Sequence, residues 1–196
     1  MTHIHPALIE CEVPVFYATT DGQTRRIAER LVVMFGGKGL TSRAIDVASS
    51  DADYIDWRHV RAAVVGASLR RGRHQRAAEA FVREYAADLN RHPSAFFSVS
   101  LATASPHAAE REAAARLASA LPEGAGWRPE QIVCLAGRLA YTQYGILTRL
   151  LMTWIARRQG GPTDTSRDHE LTNWDEVARL ADTVAGTITA GTRHAA

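Results

Sequence analysis

Short apolar runs alternate along the chain with longer stretches in which apolar residues recur every three or four positions. Val13 to Ala18, Ser42 to Val47, Ala62 to Gly66, Ala95 to Val99 and Ile132 to Ala136 have strand length, and they predict five strands buried on both faces. Between them, Ile27, Ala28, Leu31, Val32 and Phe35 fall at helical spacing, and Gly36-Gly37 closes that helix. Ala77, Phe81, Val82 and Tyr85 mark a second helix that stops before Pro93. An alanine-rich third helix is predicted from about Glu110 to Ala120, ahead of a break at Pro122-Glu123-Gly124. The last starts at Thr172 or Asn173, where Thr172 with Asp175, or Asn173 with Glu176, offers a capping box before Val177, Leu180, Ala181 and Val184. Strand and helix in alternation mean an α/β chain: a parallel sheet with helices on both faces.

Right-handed crossovers leave few arrangements for five parallel strands, and the simplest is the order 2-1-3-4-5. A ligand then binds outside the carboxyl ends of strands 1, 3 and 4, where the order reverses. At those ends stand Thr19-Thr20-Asp21-Gly22-Gln23-Thr24, Ser68-Leu69-Arg70-Arg71-Gly72 and Ser98-Val99-Ser100-Leu101-Ala102. The first segment says most. A strand that ends in hydroxyl residues and one glycine, then turns directly into a helix, aims backbone N–H groups and the positive helix end at one point, as a phosphate cradle does. It lacks the lysine of G-x-x-x-x-G-K-[ST] and the three glycines of G-x-G-x-x-G. That argues against a triphosphate or a dinucleotide and for one terminal phosphate, as in FMN. Asp21 in such a loop reads as a helix cap or an orienting group rather than a base.

Length and charge narrow the classes further. No stretch of the 196 residues resembles a linker, so residues 13–190 read as one domain behind a flexible N-terminal tail over residues 1–12. Cys11 and Cys134 are too few for a disulfide framework or a cysteine metal site, and His3 and His5 lie in the tail, so no metal is expected. The formal net charge of +2 is mild, with Lys38 the sole lysine, and no dense basic face suggests nucleic acid. Neither a secretory leader nor an apolar run of membrane-spanning length is visible, so a cytoplasmic protein is expected. No Ser-His-Asp set or pair of catalytic carboxylates stands out, and no side chain is singled out as catalytic.

One segment breaks the alternation. From about residue 138 to 169, an insertion separates the fifth strand from the last helix. Ile146, Leu147, Leu150, Leu151, Trp154 and Ile155 form a wide apolar stripe on a predicted helix, and nothing acidic occurs between Glu130 and Asp164. Arg138, Arg149, Arg157 and Arg158 punctuate the stretch, and Tyr141, Tyr144 and Trp154 add interfacial aromatics. Such a helix suits a membrane surface or a greasy partner; the same stripe would also pack on the sheet or on a second copy of the chain, as a homo-oligomer. Elsewhere, Arg70, Arg71, Arg73 and Arg76 with His74 make the densest basic cluster. Guanidinium forks match carboxylates, although a solvated helix start or a tuner of flavin potential would explain the cluster too.

Tyr17 to Thr24, Gly66-Ala67-Ser68-Leu69-Arg70, the strand Pro93 to Val99, the insertion, Gly160-Gly161-Pro162-Thr163-Asp164-Thr165 and Trp174 together resemble one family. It is the flavodoxin-like, HemG-type protoporphyrinogen oxidases, the quinone-dependent protoporphyrinogen IX dehydrogenases of bacteria, and the resemblance runs from about Val13 to Thr187. It implies a flavodoxin-like five-stranded sheet, FMN as cofactor, and removal of hydrogens from protoporphyrinogen IX in haem biosynthesis. Electrons would pass to menaquinone or ubiquinone at the inner face of the cell membrane, where the protein would sit peripherally. By the same resemblance, Thr19, Thr20, Asp21, Gly22, Gln23 and Thr24 hold the FMN phosphate. Ser68, Leu69 and Arg70 border one side of the ring system, and Ser98, Val99, Ser100, Leu101 and Ala102 the other. Substrate or membrane contacts are then expected at Arg70, Arg71, Arg73, His74, Tyr141, Tyr144, Leu150 and Trp154, with the arginines as a clamp for the two propionates. Arg71 and His74 replace tyrosines expected in that loop, so flavin stacking from it is not implied. Two readings stay open beside this one: an NAD(P)H:quinone reductase or electron carrier of the same fold, and a non-catalytic peripheral membrane module. The net charge speaks against a carrier, which needs an acidic docking face.

Overall fold

A computed structural model describes residues 8–139 and 169–194. In chain order its elements are β1 (Val13–Ala18), α1 (Gln23–Gly36), β2 (Ser42–Asp46), β3 (Ala63–Arg70), β4 (Arg73–His74), α2 (Arg76–Glu84), α3 (Ala86–Arg91), β5 (Ser94–Ser100), α4 (Ala108–Ala125), β6 (Gln131–Ala136), β7 (Arg138–Leu139), β8 (His169–Glu170) and α5 (Trp174–His194). The parallel sheet runs β2-β1-β3-β5-β6, the order expected from the sequence. Residues of β1 alternate between two cores. Phe16 and Ala18 face Phe81, Val82, Phe96 and Trp127, while Val13, Val15 and Tyr17 face Ile27, Leu31, Phe35, Leu180 and Val184. Both faces are therefore covered, and every residue of β1 and β5 is buried. Gly66 has a packing reason: a Cβ there would lie 2.0 Å from Cζ of Phe97, so only glycine lets that ring lie across β3.

The structure departs from the sequence expectations in four places. β3 does not stop at Gly66 but continues to Arg70 and folds back on β4, through Arg71 (φ 51°) and Gly72 (φ 75°). Two consecutive left-handed residues are what a two-residue hairpin requires, and a non-glycine residue there hides the turn from a sequence reader. α4 does not break at Pro122 but runs through it to Ala125. There Gly126 (φ 70°) caps it, its N–H reaching the Glu123 carbonyl while the Trp127 N–H reaches the Pro122 carbonyl. Burial of Leu121, Pro122 and Trp127 outweighs the lost helix bond. The second predicted helix divides at Tyr85 into α2 and α3. The end of the expected tail is docked: Ile9 bridges Ile55 and Cys11 is buried.

Asn173 settles the start of α5. Its Oδ1 accepts the N–H groups of Asp175 (3.1 Å) and Glu176 (3.4 Å). The insertion leaves and re-enters through a small antiparallel ladder, Arg138 opposite Glu170 and Leu139 opposite His169. Tyr141, Tyr144, Leu150, Trp154, the rest of the apolar stripe and the Gly160 to Thr165 turn lie outside the described residues. Among the described residues, no helix is long and apolar enough to cross a membrane.

Candidate functional site: a phosphate cradle at the carboxyl edge of the sheet

Where β1 ends, the chain turns through Thr19 to Gly22 and enters α1. Thr19 Oγ1 accepts the Gly22 N–H at 3.0 Å, and Gly22 takes φ 81°, a conformation that only glycine adopts cheaply. The Arg26 N–H donates to the Gly22 carbonyl at 3.1 Å, so the amides of Gln23, Thr24 and Arg25 come before the first N–H bonded within the helix, as in any helix start. Thr24 is 1% exposed, and its Oγ1 is buried without a hydrogen-bond partner among the described residues. A buried hydroxyl left this way costs about 1 to 3 kcal/mol. An oxygen-rich anion at the helix start would supply the partner.

Thr24 opens on a cavity of about 530 Å³, within the range of small-molecule sites. Thr19, Asp21 and Gln23 line it from the first loop, Ser68, Leu69, Arg70, Arg71 and Gly72 from the β3–β4 hairpin, and Val99, Ser100, Leu101 and Ala102 from the end of β5. The three segments expected to meet do meet. The opposite wall comes from the first turns of α4, through Glu110, Ala113, Ala114 and Leu117, and from Gly137 and Arg138. The sequence reading left the α4 wall out, although Ala113, Ala114 and Leu117 fall at helical spacing. Asp21 Oδ1 accepts from Arg70 Nη1 at 3.4 Å, which offsets a carboxylate charge beside the cradle.

Several expected contact residues are spent on the scaffold instead. Thr20 Oγ1 accepts from Gln75 Nε2 at 3.2 Å and stands 3.4 Å from Ser68 Oγ, which Gln75 Nε2 also reaches. Gln75 therefore ties the cradle to the hairpin, a role no sequence motif announced. Ser98 is 2% exposed, and its Oγ meets His74 Nε2 at 3.0 Å, so neither side chain lines the cavity. His74 packs edge-on against Phe96, and burial pushes its pKa down to about 4. It is neutral at pH 7 and does not add to the charge of its arginine neighbours. Of those, Arg70 and Arg71 reach the cavity and Arg73 does not. Gln23 lines the cavity, but its side-chain nitrogen points elsewhere, to Glu170 Oε1 and Thr172 Oγ1, both at 2.8 Å.

The sequence model of the flavodoxin-domain family matches residues 14–166. Over 171 residues the chain is 32% identical to the protoporphyrinogen IX dehydrogenase (quinone) of Escherichia coli K12, with 87% of this chain and 93% of that protein covered. The chain belongs to the flavodoxin-domain family of quinone-linked protoporphyrinogen IX dehydrogenases. A family protein of the same name from Leishmania major is 28% identical over 180 residues, covering 87% of this chain and 73% of its own length. Among solved structures, an archaeal flavodoxin superposes with a TM-score of 0.52 at 17% identity, over 91% of this chain and 99% of its own. The rubredoxin oxygen:oxidoreductase of Desulfovibrio gigas gives 0.56 at 12% identity, over 91% of this chain and 36% of its own. At these identities the structural neighbours speak for the fold alone.

Proposed function

We propose that this chain is an FMN-dependent protoporphyrinogen IX dehydrogenase, which oxidises protoporphyrinogen IX to protoporphyrin IX and passes the electrons to a quinone in haem biosynthesis. The observation that carries the cofactor reading is the Thr24 hydroxyl, buried without a partner among the described residues at a helix start that opens on the cavity. The residues present fit an FMN phosphate. Gly22 allows close backbone approach, Thr19 fixes the loop, and the amides of Gln23, Thr24 and Arg25 with the Thr24 hydroxyl supply donors. One terminal phosphate suffices for a cradle that lacks a lysine. FMN, when bound, would supply the acceptor for hydrogen leaving the porphyrinogen.

The remaining chemistry falls to the chain. Leu69, Val99, Leu101, Ala113, Ala114 and Leu117 give the cavity apolar walls that exclude water from a flat ring system. Arg70 and Arg71 stand at the same cavity, where their forks can take the propionates of the substrate, with Arg73 one step outside. His74 is better placed to hold the hairpin than to bind an anion. Ser98 acts behind Val99, Ser100, Leu101 and Ala102, which border the ring. Quinone reduction places the protein against the inner face of the cell membrane, and we assign that contact to the insertion, through Tyr141, Tyr144, Leu150 and Trp154.

Anaerobic turnover tests the reading. Protein loaded with FMN is given protoporphyrinogen IX with menaquinone or ubiquinone, and porphyrin fluorescence is followed. Porphyrin formation that depends on both FMN and quinone is expected. Oxidation of NAD(P)H with the same quinone, and none of the porphyrinogen, would replace the proposal with a reductase.

A further inference from the structure

The cradle is wired to the far side of the insertion. Gln23, the first residue of α1, is 4% exposed, and its side chain leaves the cavity to meet residues 147 and 149 positions away. The assignment of its amide is forced by chemistry: a carboxylate only accepts, so the Nε2 faces Glu170 Oε1 at 2.8 Å, and the Oε1 faces Arg26 Nη1 at 3.4 Å. Arg26 completes the ring by donating to Glu170 Oε2 at 3.1 Å. Thr172 Oγ1 accepts the second Gln23 bond and donates its own proton to the Ala136 carbonyl at 2.7 Å, at the end of β6. Glu170 Oε1 also accepts the Thr172 N–H at 3.2 Å, and the Leu171 N–H donates to the Gly137 carbonyl at 3.2 Å. Both hydrogens of Gln23 Nε2 and both oxygens of Glu170 are thereby engaged.

We propose that Gln23 and Glu170 are positioning residues for the phosphate cradle, coupling phosphate binding to the seating of residues 170–172 against the end of β6 and the first turn of α1. The backbone of Gln23 belongs to the cradle, while its side chain is held by the strand on which the chain re-enters the domain. A ligand that orders the first turn of α1 therefore orders Glu170 and Thr172, and by reciprocity the seated residues 170–172 tighten the cradle. Glu170 does this at a distance from the phosphate, with its charge matched by Arg26, so it adds no bare negative charge beside the anion. The inference rests on the FMN reading above and adds the partner that holds the site in shape.

The test uses FMN itself on the full chain, with two readouts. Fluorescence quenching gives the FMN dissociation constant for the parent, Gln23→Ala, Glu170→Ala, Glu170→Gln and the double alanine variant. Each single alanine should weaken FMN about tenfold, and the double variant little more, because the two residues act through one contact. Glu170→Gln keeps an acceptor for Gln23 and should stay within about threefold of the parent; the ion pair it loses is half-exposed. The second readout needs no variant: amide exchange at Leu171 and Thr172 should slow on FMN addition in the parent. Full FMN affinity in both alanine variants, a glutamine variant as weak as the alanine one, or unchanged exchange on FMN saturation would overturn the coupling. Failure of the parent to bind FMN at all would remove the functional proposal and the coupling together.

Discussion

Two polar clusters, one at each end of the parallel sheet, are satisfied to different degrees. At the amino end, the Asp56 carboxylate accepts from Arg58 Nε (2.8 Å), Nη2 (2.7 Å) and N–H (3.1 Å) and from His59 (3.1 Å). Glu12 there takes Arg61 at 2.8 Å and the Thr41 N–H at 2.9 Å. Glu10, Asp56 and His59 could in principle gather a cation, their ligand atoms lying within 4.8 Å of one another, but Asp56 is already engaged by the guanidinium. The carboxyl end holds a Thr24 hydroxyl unpartnered among the described residues, a left-handed Arg71 and a cavity of about 530 Å³. A satisfied cluster stabilises the fold and is finished. Gln131 Oε1, at the start of β6, is also buried without a partner among the described residues, but only Thr24 of the two lines the cavity, where a ligand can supply the missing partner.

Gly66→Ala should produce the largest effect, because it strikes the strand both ends share. The added Cβ meets the Phe97 ring at 2.0 Å, and we expect a loss of about 3 kcal/mol in urea unfolding, with the cradle lost as well. Thr24→Val separates the ends. Replacing a buried unpartnered hydroxyl with a methyl should raise the stability of the FMN-free protein by about 1 kcal/mol, measured by the same unfolding curve. A destabilised valine variant would mean that the hydroxyl has a partner within the protein.

The pH dependence is a finer probe of the hairpin. Burial lowers the pKa of His74 to about 4 from an ordinary 6.5, so between those values the unfolded chain takes up a proton that the folded one refuses. The contribution of His74 is complete above pH 6.5 and is lost as pH falls towards 4. Melting temperatures measured across that window should fall more steeply in the parent than in His74→Leu. Parallel curves would mean that His74 stays accessible to protons. The smallest effect is expected from Arg71→Gly: relief of the left-handed conformation, opposed by glycine's greater freedom in the unfolded chain, should change stability by less than about 1 kcal/mol, while removing one cation from the cavity should raise the porphyrinogen KM.

What was legible in the sequence follows the range of the forces involved. Apolar runs and helical periodicity report burial, a local property, so the five parallel strands, their order and the turn from β1 into α1 could be read directly. The β3–β4 hairpin could not, because Arg71 carries no mark of a left-handed residue. Pro122 misled for the converse reason: a local helix breaker is overruled by the burial of Leu121 and Trp127. Gln23 stands where the chain turns from β1 into α1, as the sequence predicts, but its side-chain partners lie 147 and 149 residues on, and no spacing rule connects them. Ser98 and His74 looked like ligand contacts because both are polar at a carboxyl end, whereas their bond to each other turns them inward.

The central claim, that the carboxyl end of the sheet is shaped to hold a phosphate, is tested most directly by FMN titration of three proteins side by side. The parent should quench FMN fluorescence at one equivalent. Asp56→Ala, which damages only the satisfied end, should bind FMN as the parent does despite a lower melting temperature. Thr24→Val should bind it more weakly by about 1 to 3 kcal/mol. Equal affinity in the parent and Thr24→Val would contradict the claim and place the phosphate elsewhere.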